Sequence, residues 1–256
     1  MALNPCITDW RGKRVWLVGA STGIGAALAE ALAAKGARLV LSARNAERLD
    51  ALAARLPQAH AEAFDLTDLA ALQAAVVRVE AHFGVPDLVV FNAGTYAPLR
   101  AEELTPEAIR ATLGVNLIGL MDGVACVLPR LMAAGRGHLL LVGSVAGYSG
   151  LPRALVYGPS KAAVINFAES LYLDLQPRGL GVSVANPGFV ATPLTAQNEF
   201  HMPALISADT AAAEILKGLA RGEFEIHFPK RFSLFLKLLR LLPYRLYFAL
   251  VSRTAR

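Results

Sequence analysis

Seven short runs rich in valine, isoleucine and leucine alternate along this chain with stretches of helical length, and that alternation constrains the fold more than any other feature. The runs fall at residues 15–18, 38–41, 61–64, 88–91, 138–142, 182–185 and 224–228. Helices are expected between them at 25–35, 46–56, 69–83, 106–132, 157–176 and 209–221. The runs lack strict in–out alternation, as strands buried on both faces do, and the connectors are long enough to be helical crossovers. A parallel sheet covered by helices on both faces follows, and right-handed crossovers make it a doubly wound α/β sheet. With 256 residues, 55% of them hydrophobic, the chain has ample material for one core. No linker-like run or internal repeat divides it. The least regular stretch is 192–208, with Pro193 and Pro203, which reads as a long loop after the sixth strand.

Charge and cysteine usage exclude several function classes. Seven cations (Lys230, Arg231, Lys237, Arg240, Arg245, Arg253, Arg256) lie beyond residue 228 with no acid among them. The rest of the chain holds 18 Lys and Arg against 20 Asp and Glu. The body is therefore nearly neutral, unlike the basic face of a nucleic-acid binder. Cys6 and Cys126 stand far apart, with neither a CxxC spacing nor a nearby histidine cluster, so neither a disulfide framework nor a zinc or other metal site is expected. The N-terminal residues carry no apolar core of a secretory signal, and a cytoplasmic protein is expected.

The first run leads into Gly19, Ala20, Ser21, Thr22, Gly23, Ile24 and Gly25, and then into an alanine-rich helix. Glycines at such a turn let backbone N–H groups approach a pyrophosphate at the positive end of a helix dipole. A glycine-rich turn alone is equally a tight turn; its place between first strand and first helix points to a nucleotide. The GxxxGxG spacing resembles that of the short-chain dehydrogenase/reductase family, and the resemblance runs to about Phe228. It implies a single Rossmann-type catalytic domain over 1–228, followed by a basic, apolar helical extension over 229–256. By the same resemblance Asp65, with Leu66 beside it, corresponds to the position that receives the adenine amino group. Asn92, Ala93 and Gly94 correspond to the turn along the adenine ribose, and Pro187, Gly188, Val190 and Thr192 to the segment over the nicotinamide. Val18 departs from the family's usual threonine before the first glycine.

The end of the second strand bears on which dinucleotide binds. A site for NAD places an acid there for the ribose 2′-hydroxyl, whereas NADP needs a cation for the 2′-phosphate. Leu41, Ser42, Ala43 and Arg44 offer no carboxylate and one guanidinium, so NADP (NADPH) is expected in preference to NAD.

Tyr157 and Lys161 open a helix four residues apart, on one face of it. Bringing a tyrosine from near 10 to neutrality takes about 4 kcal/mol, which an ammonium about 4 Å away supplies at an effective dielectric near 20. The resemblance makes Tyr157 the proton donor to a carbonyl oxygen. It makes Lys161 a ligand of the nicotinamide ribose, Ser144 the partner of the substrate oxygen, and Asn116 the holder of a water behind Lys161. The expected activity is hydride transfer between NADP(H) and a carbonyl or secondary alcohol. A catalytically silent nucleotide sensor is the alternative, and it would show erosion of these four residues. Tyr148, Leu151, Phe189, Leu194, Phe200 and Met202 are expected as pocket walls for an apolar, lipid-like substrate portion. A homodimer or homotetramer through the helices at 106–132 and 157–176 is implied by the resemblance.

A helix over 232–242 carries Ser233, Lys237 and Arg240 as a narrow polar stripe, so most of its circumference is apolar; a second apolar run follows Pro243. Spanning a membrane takes roughly 17–25 apolar residues, more than this interrupted segment offers. Two placements stay open: packing on protein, or lying at a membrane surface with Lys237 and Arg240 toward anionic headgroups.

Overall fold

All seven apolar runs contribute strands to one parallel sheet in the computed structural model, which describes residues 2–198 and 202–252. The strands are β1 (Arg14–Val18), β2 (Arg38–Ser42), β3 (Ala59–Ala61), β4 (Leu88–Phe91), β5 (His138–Val142), β6 (Gly181–Pro187) and β7 (Glu225–Phe228). Their spatial order is β3-β2-β1-β4-β5-β6-β7, a single Rossmann-type domain. The order reverses between β1 and β4, where such sheets open a crevice at their carboxyl ends.

Side-chain alternation along β1 divides the core. Val15 and Leu17 point to the face covered by α1 (Gly23–Ala33), α2 (Ala46–Arg55) and α7 (Ala208–Ala220), where Leu28, Leu32, Leu49 and Ile215 are buried. Trp16 and Val18 point to the other face, covered by α3 (Leu69–Phe83), α5 (Gly119–Ala134) and α6 (Tyr157–Leu175). There Gly123 lets α5 close on the sheet, since a Cβ at that position would lie 2.3 Å from the Phe91 ring.

Two expected elements differ. The third strand, expected over 61–64, is Ala59–Ala61, because the sheet-edge strand pairs with β2 only from Leu39↔Ala59 to Leu41↔Ala61. Beyond that register Glu62 N still donates to Leu41 O at 2.8 Å and Phe64 N to Ala43 O at 3.2 Å, and the chain then delivers Phe64, Asp65 and Leu66 to the crevice. The helix expected over 106–132 is α4 (Pro106–Leu113), a π-helical turn at Gly114–Ile118, and α5. One widened turn rotates the following side chains relative to an α-helix, and such insertions recur at functional sites. Here it carries Asn116 into the interior.

The chain ends in α8 (Lys230–Arg240) and α9 (Tyr244–Val251), joined through Pro243. Two residues of the expected polar stripe of α8 are turned inward, while Arg240 stays exposed. Ser233 is wholly buried and Lys237 pairs with Glu225 on β7, so Lys237 does not face outward as the membrane placement required. The cause is local: β7 ends directly before α8 and brings Glu225 and His227 under it.

Candidate active site

The carboxyl ends of β1, β2, β4, β5 and β6 open into one cleft of about 680 Å³. It is lined by Gly19, Ser21, Thr22, Gly23 and Ile24 after β1, by Arg44 after β2, and by Asp65 and Leu66 after β3. Asn92, Ala93 and Gly94 line it after β4, and Ser144, Tyr157, Lys161, Pro187, Gly188, Val190 and Thr192 line its far half. Gly25 and Asn116 stand behind that wall: a Cβ on Gly25 would meet Asn92 Nδ2 at 2.7 Å, and one on Gly94 would meet Asn116 Oδ1 at 3.4 Å.

The glycine turn is pressed onto the turn after β4. Gly19 has φ +91, in the left-handed region, and a Cβ there would sit 2.3 Å from the Ala93 nitrogen. Asn92 Nδ2 donates to the Gly19 carbonyl at 2.7 Å, so Asn92 holds the turn rather than standing free in the cleft. Thr22 precedes α1 without a side-chain cap, and the helix has no acid in its first turn. Its first N–H groups and the positive end of its dipole are therefore open to an anion at the cleft wall. This cradle fits the pyrophosphate of a dinucleotide.

The neighbouring end of the cleft is cationic. Arg44 is exposed there, and Arg48, one turn along α2, lines the same wall. Asp65 lies opposite, its Oδ1 accepting from Thr67 N at 2.9 Å and Thr67 Oγ1 at 2.8 Å. Burial alone would raise this carboxyl. The Thr67 hydrogen bonds and the charge of Arg44 outweigh it and hold Asp65 below the usual carboxylate value.

At the far end Lys161, 3% exposed, donates from Nζ to the Val142 carbonyl at 2.8 Å and lies 5.8 Å from the centre of the Tyr157 ring. Burial pulls Lys161 down to about 8. Burial likewise pushes the Tyr157 phenol up to about 12, the Ser144 hydroxyl beside it pulling the other way. Instead of the coulombic lowering expected from the four-residue spacing, desolvation dominates at both groups and drives them toward their neutral forms. Asn116 accepts from Thr95 N at 2.7 Å and donates to Thr95 O at 2.9 Å and Ser160 Oγ at 3.1 Å. Its side chain clamps the loop after β4.

The expected pocket walls divide. Leu194 lines the cleft. Tyr148 instead donates to Glu225 Oε1 at 2.6 Å, Leu151 packs among Leu239, Tyr247 and Val251, and Phe189 pairs with the Phe232 ring at 5.7 Å, all toward the C-terminal helices. Met202 receives the Asn198 amide at its sulfur at 3.4 Å, and Phe200 lies outside the described residues. Arg48, Tyr96 and Thr195 are among the residues at the site that were not foreseen. Arg48 carries a signal in its four-residue spacing from Arg44. Tyr96, edge-on to Tyr157 with ring centres 4.9 Å apart, follows the Asn-Ala-Gly turn by two residues. Thr195, bonded to Thr192, has no sequence signal.

Fold and cleft together define an α/β oxidoreductase that works with a bound dinucleotide. Residues 13–202 match the family described as short chain dehydrogenase. A Myxococcus xanthus protein described as an uncharacterized oxidoreductase is 35% identical over 93% of this chain and 95% of its own. A short-chain dehydrogenase from Sphingobium yanoikuyae, solved in complex with NADPH, has 31% identity and a TM-score of 0.79, covering 87% of this chain and 92% of that one. One from Burkholderia phymatum, in complex with NAD, has 26% identity and a TM-score of 0.83, covering 91% and 94%. The chain belongs to the short-chain dehydrogenase family.

Proposed function

We propose that this protein is an NADPH-dependent carbonyl reductase, reversible toward oxidation of secondary alcohols. The observation that carries the reading is the convergence of Ser144, Tyr157 and Lys161 at one end of the cleft whose other end presents Arg44 and Arg48. The glycine turn from Gly19 to Gly25 would hold the pyrophosphate, Arg44 the 2′-phosphate, and Asp65 with Leu66 the adenine. Asn92, Ala93 and Gly94 would border the ribose, and Pro187, Gly188, Val190 and Thr192 the nicotinamide. Bound there, the dinucleotide supplies the hydride.

The chain's own residues handle the proton. Ser144 hydrogen-bonds the substrate oxygen, Tyr157 donates its phenolic proton to that oxygen as charge develops, and Lys161 stabilises the phenolate left behind. Asn116 acts through the Thr95 loop, keeping Tyr96 against the Tyr157 ring. Tyr96, Leu194 and Val190 favour a substrate with an apolar portion. A homodimer or homotetramer would cover the exposed Ile118, Met121 and Met132 near and on α5 and Leu173 on α6.

Tyr157→Phe tests the reading. NADPH binding, followed by fluorescence, is expected to stay near wild type. Turnover of the best substrate from a panel of ketones of graded chain length should fall at least about a hundredfold. Near-wild-type turnover would refute the mechanism.

A further inference from the structure

The C-terminal helix pair docks with its polarity inverted. Inward-facing groups on α8 include Ser233, bonded to His227 Nδ1 at 2.6 Å and to Pro229 O at 2.9 Å, and Lys237, ion-paired with Glu225. Leu239, Tyr247 and Val251 complete the inner contact, and the Tyr247 hydroxyl donates to Gly150 O at 2.6 Å. Left outside are Leu234, Phe235, Leu238, Leu241, Tyr244, Leu246, Phe248 and Leu250. These are 8 of the 18 large hydrophobic side chains exposed among the described residues, gathered within 17 consecutive positions. Large apolar side chains exposed this densely mark an interaction site.

Its rim is cationic. Arg231, Arg240 and Arg245 are exposed and have no carboxylate partner among the described residues, while Lys230 shares Glu223 at 3.8 Å. No Asp or Glu occurs from 228 to 256. We propose that this face docks in the plane of an anionic phospholipid bilayer, leucines and aromatic rings at the headgroup–acyl boundary and arginines among the phosphates. A second copy is the poorer occupant, since a two-fold contact would set these arginines against themselves with no acid between. Helices of 11 and 8 residues are too short to span. The one described helical run long and apolar enough, Pro106–Ala134, packs on the sheet through Leu120, Val124, Val127 and Leu131.

The helix pair follows β7 and touches the end of β6: a Cβ on Gly188 would lie 3.0 Å from the Phe232 ring. Docking therefore brings the cleft mouth beside the bilayer, where apolar carbonyl compounds partition. The docking itself is independent of the reductase reading, and its test uses no turnover.

Full-length protein is sedimented with phosphatidylcholine vesicles with and without phosphatidylglycerol. Binding is expected only with phosphatidylglycerol, with release at high salt. Leu238→Glu/Phe248→Glu should lose binding more than about tenfold. Arg240→Gln/Arg245→Gln should weaken it about fivefold per charge removed. Both variants alter exposed side chains, and melting temperatures should match wild type. The proposal is overturned if the wild type stays in the supernatant at low salt, or binds equally without phosphatidylglycerol. It is also overturned if the wild type is an oligomer that Leu238→Glu/Phe248→Glu dissociates.

Discussion

Replacing Glu225 by alanine should unseat the C-terminal helices from the domain. The carboxylate accepts from Tyr148 Oη at 2.6 Å, Asn186 Nδ2 at 2.9 Å and Lys237 Nζ. Asn186 is 0% exposed and Tyr148 7%, so in Glu225→Ala both donors remain in the dry interior without their acceptor. Each stranded donor costs about 1–3 kcal/mol, and Lys237, with 35% of its side chain in water, adds little. The loss centres near about 4 kcal/mol, which lowers Tm by about 10 °C in a chain of this size. Glu225→Gln keeps an acceptor for both donors and should lose about 1 kcal/mol. The pH dependence has a definite sign. Burial raises the Glu225 carboxyl, but the hydrogen bonds from Lys237, Tyr148 and Asn186 outweigh it and hold it below its ordinary value of 4.5. The part of its stabilisation that depends on charge is therefore complete above that value and is lost as pH falls through the lower folded value. Calorimetric melts of wild type and Glu225→Ala should differ most at neutral pH, and the gap should narrow in acid without closing, because the protonated carboxyl still offers an acceptor as Glu225→Gln does. A neutral-pH difference under about 2 °C, or a gap that widens in acid, would refute the argument.

Other perturbations probe the cleft. Gly25→Ala places a Cβ 2.1 Å from the Gly19 carbonyl and must displace the turn; NADPH affinity by fluorescence titration should drop at least about tenfold. Arg44→Asp should weaken NADPH at least about thirtyfold more than NADH, because it puts a like charge against the 2′-phosphate, and equal losses would remove Arg44 from phosphate recognition. Burial pulls Lys161 from 10.5 to about 8 in the folded protein, so the unfolded chain binds the extra proton between those values and stability rises with pH across that window. Urea unfolding should show about 3 kcal/mol of that rise in wild type relative to Lys161→Met.

The parallel sheet was legible because both of its faces are buried, leaving apolar runs that only a covered strand tolerates. The cleft was legible because its glycines and short polar residues sit where strands end. What stayed hidden depended on long-range partners. Tyr148 follows Ser144 by four residues and reads as a pocket wall; only the arrival of β7, with Glu225, draws its hydroxyl away. The π turn at Gly114–Ile118 leaves no separate mark in a run whose apolar residues are spread around the helix, although it redirects Asn116. On α8 the stripe of Ser233, Lys237 and Arg240 was recognised, but not the inward turn of Ser233 and Lys237. Sequence ranks apolar faces as buried, and that ranking fails where a neighbouring strand supplies acceptors for the polar face.

The protonation of the site connects its geometry to direction. With its phenol pushed up to about 12, Tyr157 holds its proton at neutral pH, and burial leaves Lys161 at about 8, carrying its charge only below that value. A protonated phenol beside a substrate oxygen is ready to donate, which is the demand of carbonyl reduction. Alcohol oxidation demands the phenolate, whose formation burial opposes in the free site. Positive charge reaching the far end of the cleft eases that opposition, and Lys161 is placed to provide it only while protonated. On the proposed reading reduction starts from the protonated phenol that burial favours and ends at the phenolate from which oxidation starts, so both directions depend on the Lys161 ammonium, which is present below about 8.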